Sequence, residues 1–144
     1  MAYNVLIVDD STPMRAVIKK VVKASGFNVG RIFEASDGRE ALKLLNSEWL
    51  DLVLTDYNMP DMDGLKLLEY MQKDEAFKSI PVVMITTEGS KRRVEEFLEK
   101  GATAYIKKPF APEEIKQKLN RIMGETSDDN EQGSFDVGDE ELDF

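Results

Sequence analysis

The sequence predicts an α/β protein built on a doubly wound, five-stranded parallel sheet with five helices. Three observations predict it. Val5–Val8, Leu52–Leu54 and Pro81–Ile85 are short apolar runs rich in β-branched residues, and they do not alternate with polar ones, as suits strands buried on both faces. Segments with helical spacing separate these runs. The regular alternation of strand and helix then argues for parallel strands joined by right-handed crossovers, with helices on both sides.

Each element can be justified in chain order. After the first strand, Met14, Val17, Ile18, Val21 and Val22 fall on one helical stripe, with Lys19, Lys20 and Lys23 on the other side. Pro13 suits the first turn of that helix and Gly26 its stop. Val29–Ala35 mixes apolar residues with polar ones and glycine, as edge strands often do, and a helix follows at about 38–46. The third strand leads through a loop to a helix at about 64–73, for which Asp63 is the expected cap, with Pro60 and Gly64 shaping the loop. The fourth strand precedes a helix at about 91–100. Ala104–Lys107 is a second edge candidate. In the last helix, 112–123, Ile115, Leu119 and Ile122 form the stripe, Glu113 and Glu114 occupy the positive first turn, and Gly124 closes it.

Composition narrows the function classes. A chain of 144 residues suits one compact domain. It has no cysteine, which excludes disulfides and thiolate metal sites. No apolar run approaches a membrane span, and the start MAYNVLIVDD lacks the basic and apolar regions of a secretory signal. A cytoplasmic location is the expectation. The net charge of −9 is localised: nine of the 28 acidic residues and no basic residue lie from Gly124 onward, leaving 19 acids against 19 bases in 1–123. A formally neutral body gives no support to nucleic-acid binding. We therefore divide the chain into a domain at 1–123 and an acidic tail at 124–144, whose composition predicts disorder.

In open parallel sheets functional groups gather beyond the carboxyl ends of the strands. Here the first strand ends in Asp9-Asp10, the third in Asp56, the fourth in Thr86-Thr87 and the fifth in Lys107-Lys108-Pro109. Three crowded carboxylates raise one another's pKa unless a cation holds them. With oxygen ligands only and no histidine in the chain, that cation should be hard, and Mg²⁺ fits best, with Mn²⁺ as a substitute. Asp61-x-Asp63-Gly64 resembles part of a calcium loop, but the EF-hand template laid on Gly64 puts Met59 first and Tyr70 twelfth, so it fails. A metal ion beside a carboxylate, a lysine and a threonine is a phosphoryl-transfer set. Asp56, on the central strand, is the natural nucleophile, giving an acyl phosphate. Taken alone, Asp9-Asp10 reads more readily as a turn and helix cap, Tyr105 as edge packing, and Lys107 and Thr87 as neighbours of the functional residues. The joint arrival of Asp10, Asp56, Thr86 and Lys108 at four strand ends carries the functional reading.

The set Asp9-Asp10-Ser11-x-x-x-Arg15, Asp56-x-Asn58-Met59-Pro60-x-Met62-Asp63-Gly64, Thr86 and Lys108-Pro109-Phe110 resembles the receiver domain of two-component response regulators over residues 3–123. Within that family it is most similar to the stand-alone chemotaxis, CheY-like, type. The resemblance implies a flavodoxin-like fold with strand order 2-1-3-4-5. It also implies that Asp56 takes phosphate from the phosphohistidine of a histidine kinase. Mg²⁺ would be bound by the side chains of Asp10 and Asp56, by the backbone carbonyl of Asn58 and, through water, by Asp9. Lys108 would pair with the phosphoryl group, and with Asp56 before it arrives. Thr86 and Tyr105 would act as the switch, Asn58 and Glu88 would tune dephosphorylation, and the Lys108–Pro109 bond would be cis. Ala111 departs from the common Ser or Thr cap, a loss of ~1 kcal/mol at that helix start.

The function so implied is a single-domain regulator, not a turnover enzyme, that catalyses only its own phosphorylation and dephosphorylation. A monomer, it would signal through the face of the fourth and fifth helices and the strand between them, to a flagellar motor switch, and a phosphatase is a further expected partner. An adaptor or phosphate-sink role in another two-component pathway is the alternative. A flavin carrier would want a hydroxyl- and glycine-rich loop where Asp9-Asp10 stands, and an aspartate phosphatase a D-x-D-x-[TV] first strand; neither pattern is present. A docking module that is never phosphorylated is disfavoured by the intact acceptor, metal and lysine positions. The tail reads either as a solubilising extension or as a short linear motif, because Phe135, Val137, Leu142 and Phe144 punctuate its acids. Such a motif would meet a partner or dock on its own domain.

Overall fold

A computed structural model describes residues 2–59, 62–87 and 89–124. Pro60, Asp61, Glu88 and the tail from 125, with the disorder expected of it, lie outside the described residues. Ten elements alternate: β1 Tyr3–Val8, α1 Thr12–Ala24, β2 Val29–Ala35, α2 Gly38–Ser47, β3 Leu52–Thr55, α3 Gly64–Gln72, β4 Val82–Thr86, α4 Lys91–Glu99, β5 Ala104–Lys107 and α5 Pro112–Met123. The sheet is entirely parallel, in the order β2-β1-β3-β4-β5. Both expected edge strands are at the edges.

Alternation along the inner strands divides the core in two. Leu6, Val8, Val53, Val82 and Met84 face the layer of α2, α3 and α4, where Ala41, Leu68 and Phe97 are buried. Val5, Ile7, Leu52, Leu54, Val83 and Ile85 face the layer of α1 and α5, with Ile18, Val22, Ile115 and Leu119. Side chains that alternate faces are therefore all buried, which is why these strands read as unbroken apolar runs.

The helix ends follow the expected chemistry. Ser11, Asp37, Asp63 and Ser90 each accept a backbone N–H from the first turn of α1, α2, α3 and α4. Ala111 offers no such bond to α5. Gly26 and Gly124 follow α1 and α5 with φ of 86° and 73°, the left-handed conformation that glycine adopts without strain. The Lys108–Pro109 peptide is cis.

Candidate functional site

The backbone brings the acidic residues together before any side chain is considered. The β1–β3 ladder pairs Val8 with Thr55 and extends one step further, the Asp56 N–H donating to the Val8 carbonyl at 2.9 Å. On the other side of β1, the Asp9 N–H donates to Ala35 at 3.1 Å. Asp9 and Asp56 are thus pinned to neighbouring strand ends. Arg15, one turn into α1, reaches back and donates to the Asp9 carbonyl oxygen at 2.6 Å.

Asp9 is buried, only 1% exposed, and both of its carboxylate oxygens are engaged. Oδ1 accepts the Ser11 N–H at 2.9 Å, and Oδ2 accepts Lys108 Nζ at 3.2 Å. The same ammonium stands 3.6 Å from Asp56 Oδ2. The resemblance paired Lys108 with Asp56 ahead of the phosphoryl group; the lysine lies between the two carboxylates and closer to Asp9. The more deeply buried charge has the greater need of a counter-ion. Asp56 Oδ1 accepts the Tyr57 N–H at 2.8 Å.

Burial raises the pKa of the Asp56 carboxyl above its ordinary value. Lys108 opposes that rise, the Asp9 charge adds to it, and the backbone N–H groups of Tyr57 and Asn58 oppose it. Asp10 is exposed, and among the described residues its carboxylate has no hydrogen-bond or ion-pair partner. One carboxylate oxygen from each of Asp9, Asp10 and Asp56 lies within 4.8 Å of the others. Three carboxylates against one ammonium leave an excess of negative charge lined by hard oxygen donors. The donor set fits a divalent cation of the Mg²⁺ type. Asp10, Tyr57, Asn58, Met59 and Asp63 line an open depression beside it.

Thr86 is the last residue of β4 and fully buried, whereas Thr87 is exposed. The Lys108 N–H donates to the Thr86 carbonyl at 2.9 Å, tying the lysine's loop to the threonine's strand. Lys107 is exposed. Tyr105 is half-buried on β5, with Lys118 Nζ 5.2 Å from its ring centroid. Asn58 is exposed on the loop after β3. Glu88, which the resemblance implies would tune dephosphorylation, lies outside the described residues.

Three contributors were not legible as such in the sequence. Gly64 is required sterically: a Cβ there would overlap the Asp56 carbonyl oxygen, and its N–H donates to the Tyr57 carbonyl at 2.9 Å. Ser11 both caps α1 and holds Asp9. Tyr57 packs against Phe97 of α4 with ring centroids 5.4 Å apart, and the Arg93 guanidinium sits 4.7 Å from its ring. A serine three residues before a helical N–H signals the cap; nothing local signals the others.

The pattern of the family described as the response regulator receiver domain matches residues 5–120. The chain belongs to this family. Among its relatives, the chemotaxis protein CheY1 of Helicobacter pylori is 41% identical over 122 residues, covering 84% of this chain and 97% of the relative. CheY-3 of Vibrio cholerae is 42% identical over 120 residues, covering 83% and 91%. Among solved structures, the chemotaxis response regulator CheY4 of Vibrio cholerae superposes with a TM-score of 0.75 at 33% identity, covering 85% of this chain and 99% of that one. A putative response regulator from Chloroflexus aurantiacus gives 0.78 at 27%, covering 86% and 99%. This receiver domain is of the CheY type, consistent with a response regulator in chemotaxis. Among the described residues no helix is long and apolar enough to cross a membrane.

Proposed function

We propose that the chain is a phosphorylation-switched signalling protein of a chemotaxis pathway, with residues 1–123 as the receiver. In this reading it is monomeric and cytoplasmic, and Asp56 accepts a phosphoryl group from a histidine kinase. The observation that carries the reading is the convergence of Asp9, Asp10 and Asp56, the first and last of them paired with Lys108, at the ends of β1, β3 and β5.

Asp56 offers a carboxylate oxygen to the phosphorus. A P–O bond forms, the donor's P–N bond breaks, and the electron pair returns to the donor imidazole. Lys108, already between Asp9 and Asp56, balances the charge gathered on the phosphoryl oxygens. Thr86 supplies a hydroxyl to one of those oxygens, and Tyr105 answers its movement. Asp10, Asp56 and the Asn58 carbonyl would hold Mg²⁺, with Asp9 reaching it through water. When bound, the ion would supply positive charge that stabilises the phosphoryl oxygens. Asn58 and Glu88 govern how quickly water removes the phosphate, and a phosphatase partner would act at that step.

The phosphate would bias a two-state equilibrium that a partner reads on α4, β5 and α5. The names of the relatives from Helicobacter and Vibrio favour chemotaxis, and a flagellar motor switch as the reader. The acidic tail lies beyond the family's matched region, and it favours a second reading, an adaptor or phosphate sink.

Incubation with acetyl phosphate and Mg²⁺ followed by intact mass measurement tests the chemistry. The expected result is one phosphoryl adduct, stable in acid and labile in base, absent without Mg²⁺ and absent in Asp56→Asn. No adduct, or one that persists in that variant, overturns the reading.

A further inference from the structure

The formally neutral domain is polarised. α1 and α5, which pack side by side on one face of the sheet, carry seven bases and two acids, and both acids, Glu113 and Glu114, are in the first turn of α5. Among the described helices α1 alone has no acidic residue. Two of its bases, Arg15 and Lys19, are paired with Glu34 of β2. Lys20 and Lys23 on α1, with Lys116 and Arg121 on α5, form no ion pair among the described residues. These bases lie on two helices of one layer, from Lys116 in the first half of α5 to Arg121 near its end. The Lys116 ammonium lies 3.7 Å from where a Cβ of Gly26, just beyond α1, would stand. Val17 adds an apolar contact, 48% exposed one turn before Lys20.

Gly124, directly after α5, is the root of a segment with nine acids and no base. We propose that the acidic–apolar end of this segment, SFDVGDEELDF, docks on the α1/α5 face of its own domain. Its carboxylates meet Lys20, Lys23, Lys116 and Arg121, and its apolar side chains meet Val17. The reach is sufficient. The ten residues from Gly124 to Ser134 can span about 35 Å when extended, more than the ~20 Å length of a helix the size of α1. Tethering raises the local concentration of the segment to about the millimolar range, so an acidic partner approaching α1 must displace it. α4 is a poorer host, because its three bases, Lys91, Arg92 and Arg93, are matched by three acids, Glu95, Glu96 and Glu99, and Arg93 is paired with Glu96.

This inference does not depend on phosphorylation of Asp56. The chain has no cysteine, so Ser134→Cys in the full chain gives one position for a nitroxide label. Amide NMR signals of 17–23 and 116–121 should broaden selectively, and this broadening should be lost at about 1 M salt, where the screening length is about 3 Å. It should also be lost in the triple variant Lys20→Glu, Lys23→Glu, Lys116→Glu. Uniform broadening, or broadening centred on α4, overturns the proposal. So does broadening at α1 and α5 that survives both salt and charge reversal. Mixing labelled chain with isotope-enriched unlabelled chain should leave the latter's signals sharp; broadening there would assign the contact to a second copy and overturn self-docking.

Discussion

Asp56 stands where an ionised carboxylate is costly to keep, partly buried and close to a second, more deeply buried one. Its pKa is raised on folding, so the folded state holds the proton more tightly than the unfolded chain. The ionised form therefore weakens the fold above the native pKa, and the penalty fades as the pH falls through it. In Mg²⁺-free buffer, Asp56→Asn should be more stable than the parent at neutral pH by about 1 kcal/mol, an ordinary size for a single substitution. That advantage should shrink on acidification. Urea melts at several pH values check it, and equal midpoints throughout would contradict the electrostatic account. Gly64 has the opposite sensitivity. Gly64→Ala drives a methyl group into the Asp56 carbonyl and should cost about 1–3 kcal/mol, as overpacking does. It should also slow acetyl-phosphate labelling, because the loop that carries Asp56, the proposed acceptor, must shift. A variant with unchanged stability and labelling would show that the close approach has no consequence.

Among elements, the helix starts separate what is optimised from what is not. Four helices have side-chain caps and α5 has none. Ala111 already has the extended backbone of a cap residue, and Glu114 stands three positions on, where a capping box places its acid. Ala111→Ser should therefore stabilise the protein by ~1 kcal/mol, read as a higher midpoint in urea with an unchanged slope. Element boundaries were legible to within two residues because periodicity and caps are local signals. The largest shift is β1, which begins at Tyr3 and not at Val5. Its extra residues owe their strand conformation to pairing with β2, which is remote in the chain: Tyr3 stands opposite Val29, and its N–H donates to the carbonyl of Asn28, just before that strand.

For the whole molecule the governing quantity is the charge assembled at the sheet's carboxyl edge. Three carboxylates and one lysine attract a divalent cation, and a cation that binds only the folded state stabilises it by mass action. Each tenfold rise in free Mg²⁺ above its dissociation constant should add about 1.4 kcal/mol to the unfolding free energy. Asp10→Asn should flatten this dependence while leaving the Mg²⁺-free stability within about 0.5 kcal/mol, since the Asp10 side chain is exposed and, among the described residues, has no polar partner. A melting temperature insensitive to Mg²⁺ in the parent protein would count against a metal at this site.

The sequence by itself determined the element order, the parallel sheet, the edge position of β2 and β5, and the residues delivered to the strand ends. Strand-end chemistry is legible because each acid or lysine directly follows the apolar run that carries it. Packing decided the rest. That Lys108 serves Asp9 as well as Asp56, that Arg15 and Ser11 secure Asp9, and that Gly64 makes room for Asp56 all depend on groups far apart in the chain. So does the basic face of α1 and α5, where two stretches nearly a hundred residues apart become neighbours. LVLTDYNMPDMDG contains the acceptor, a metal-binding carbonyl and a helix cap in this reading, yet the other carboxylates and the ammonium come from β1 and β5. Ion pairing and steric clearance depend on distances of a few ångströms, and only the folded chain brings those groups within that range.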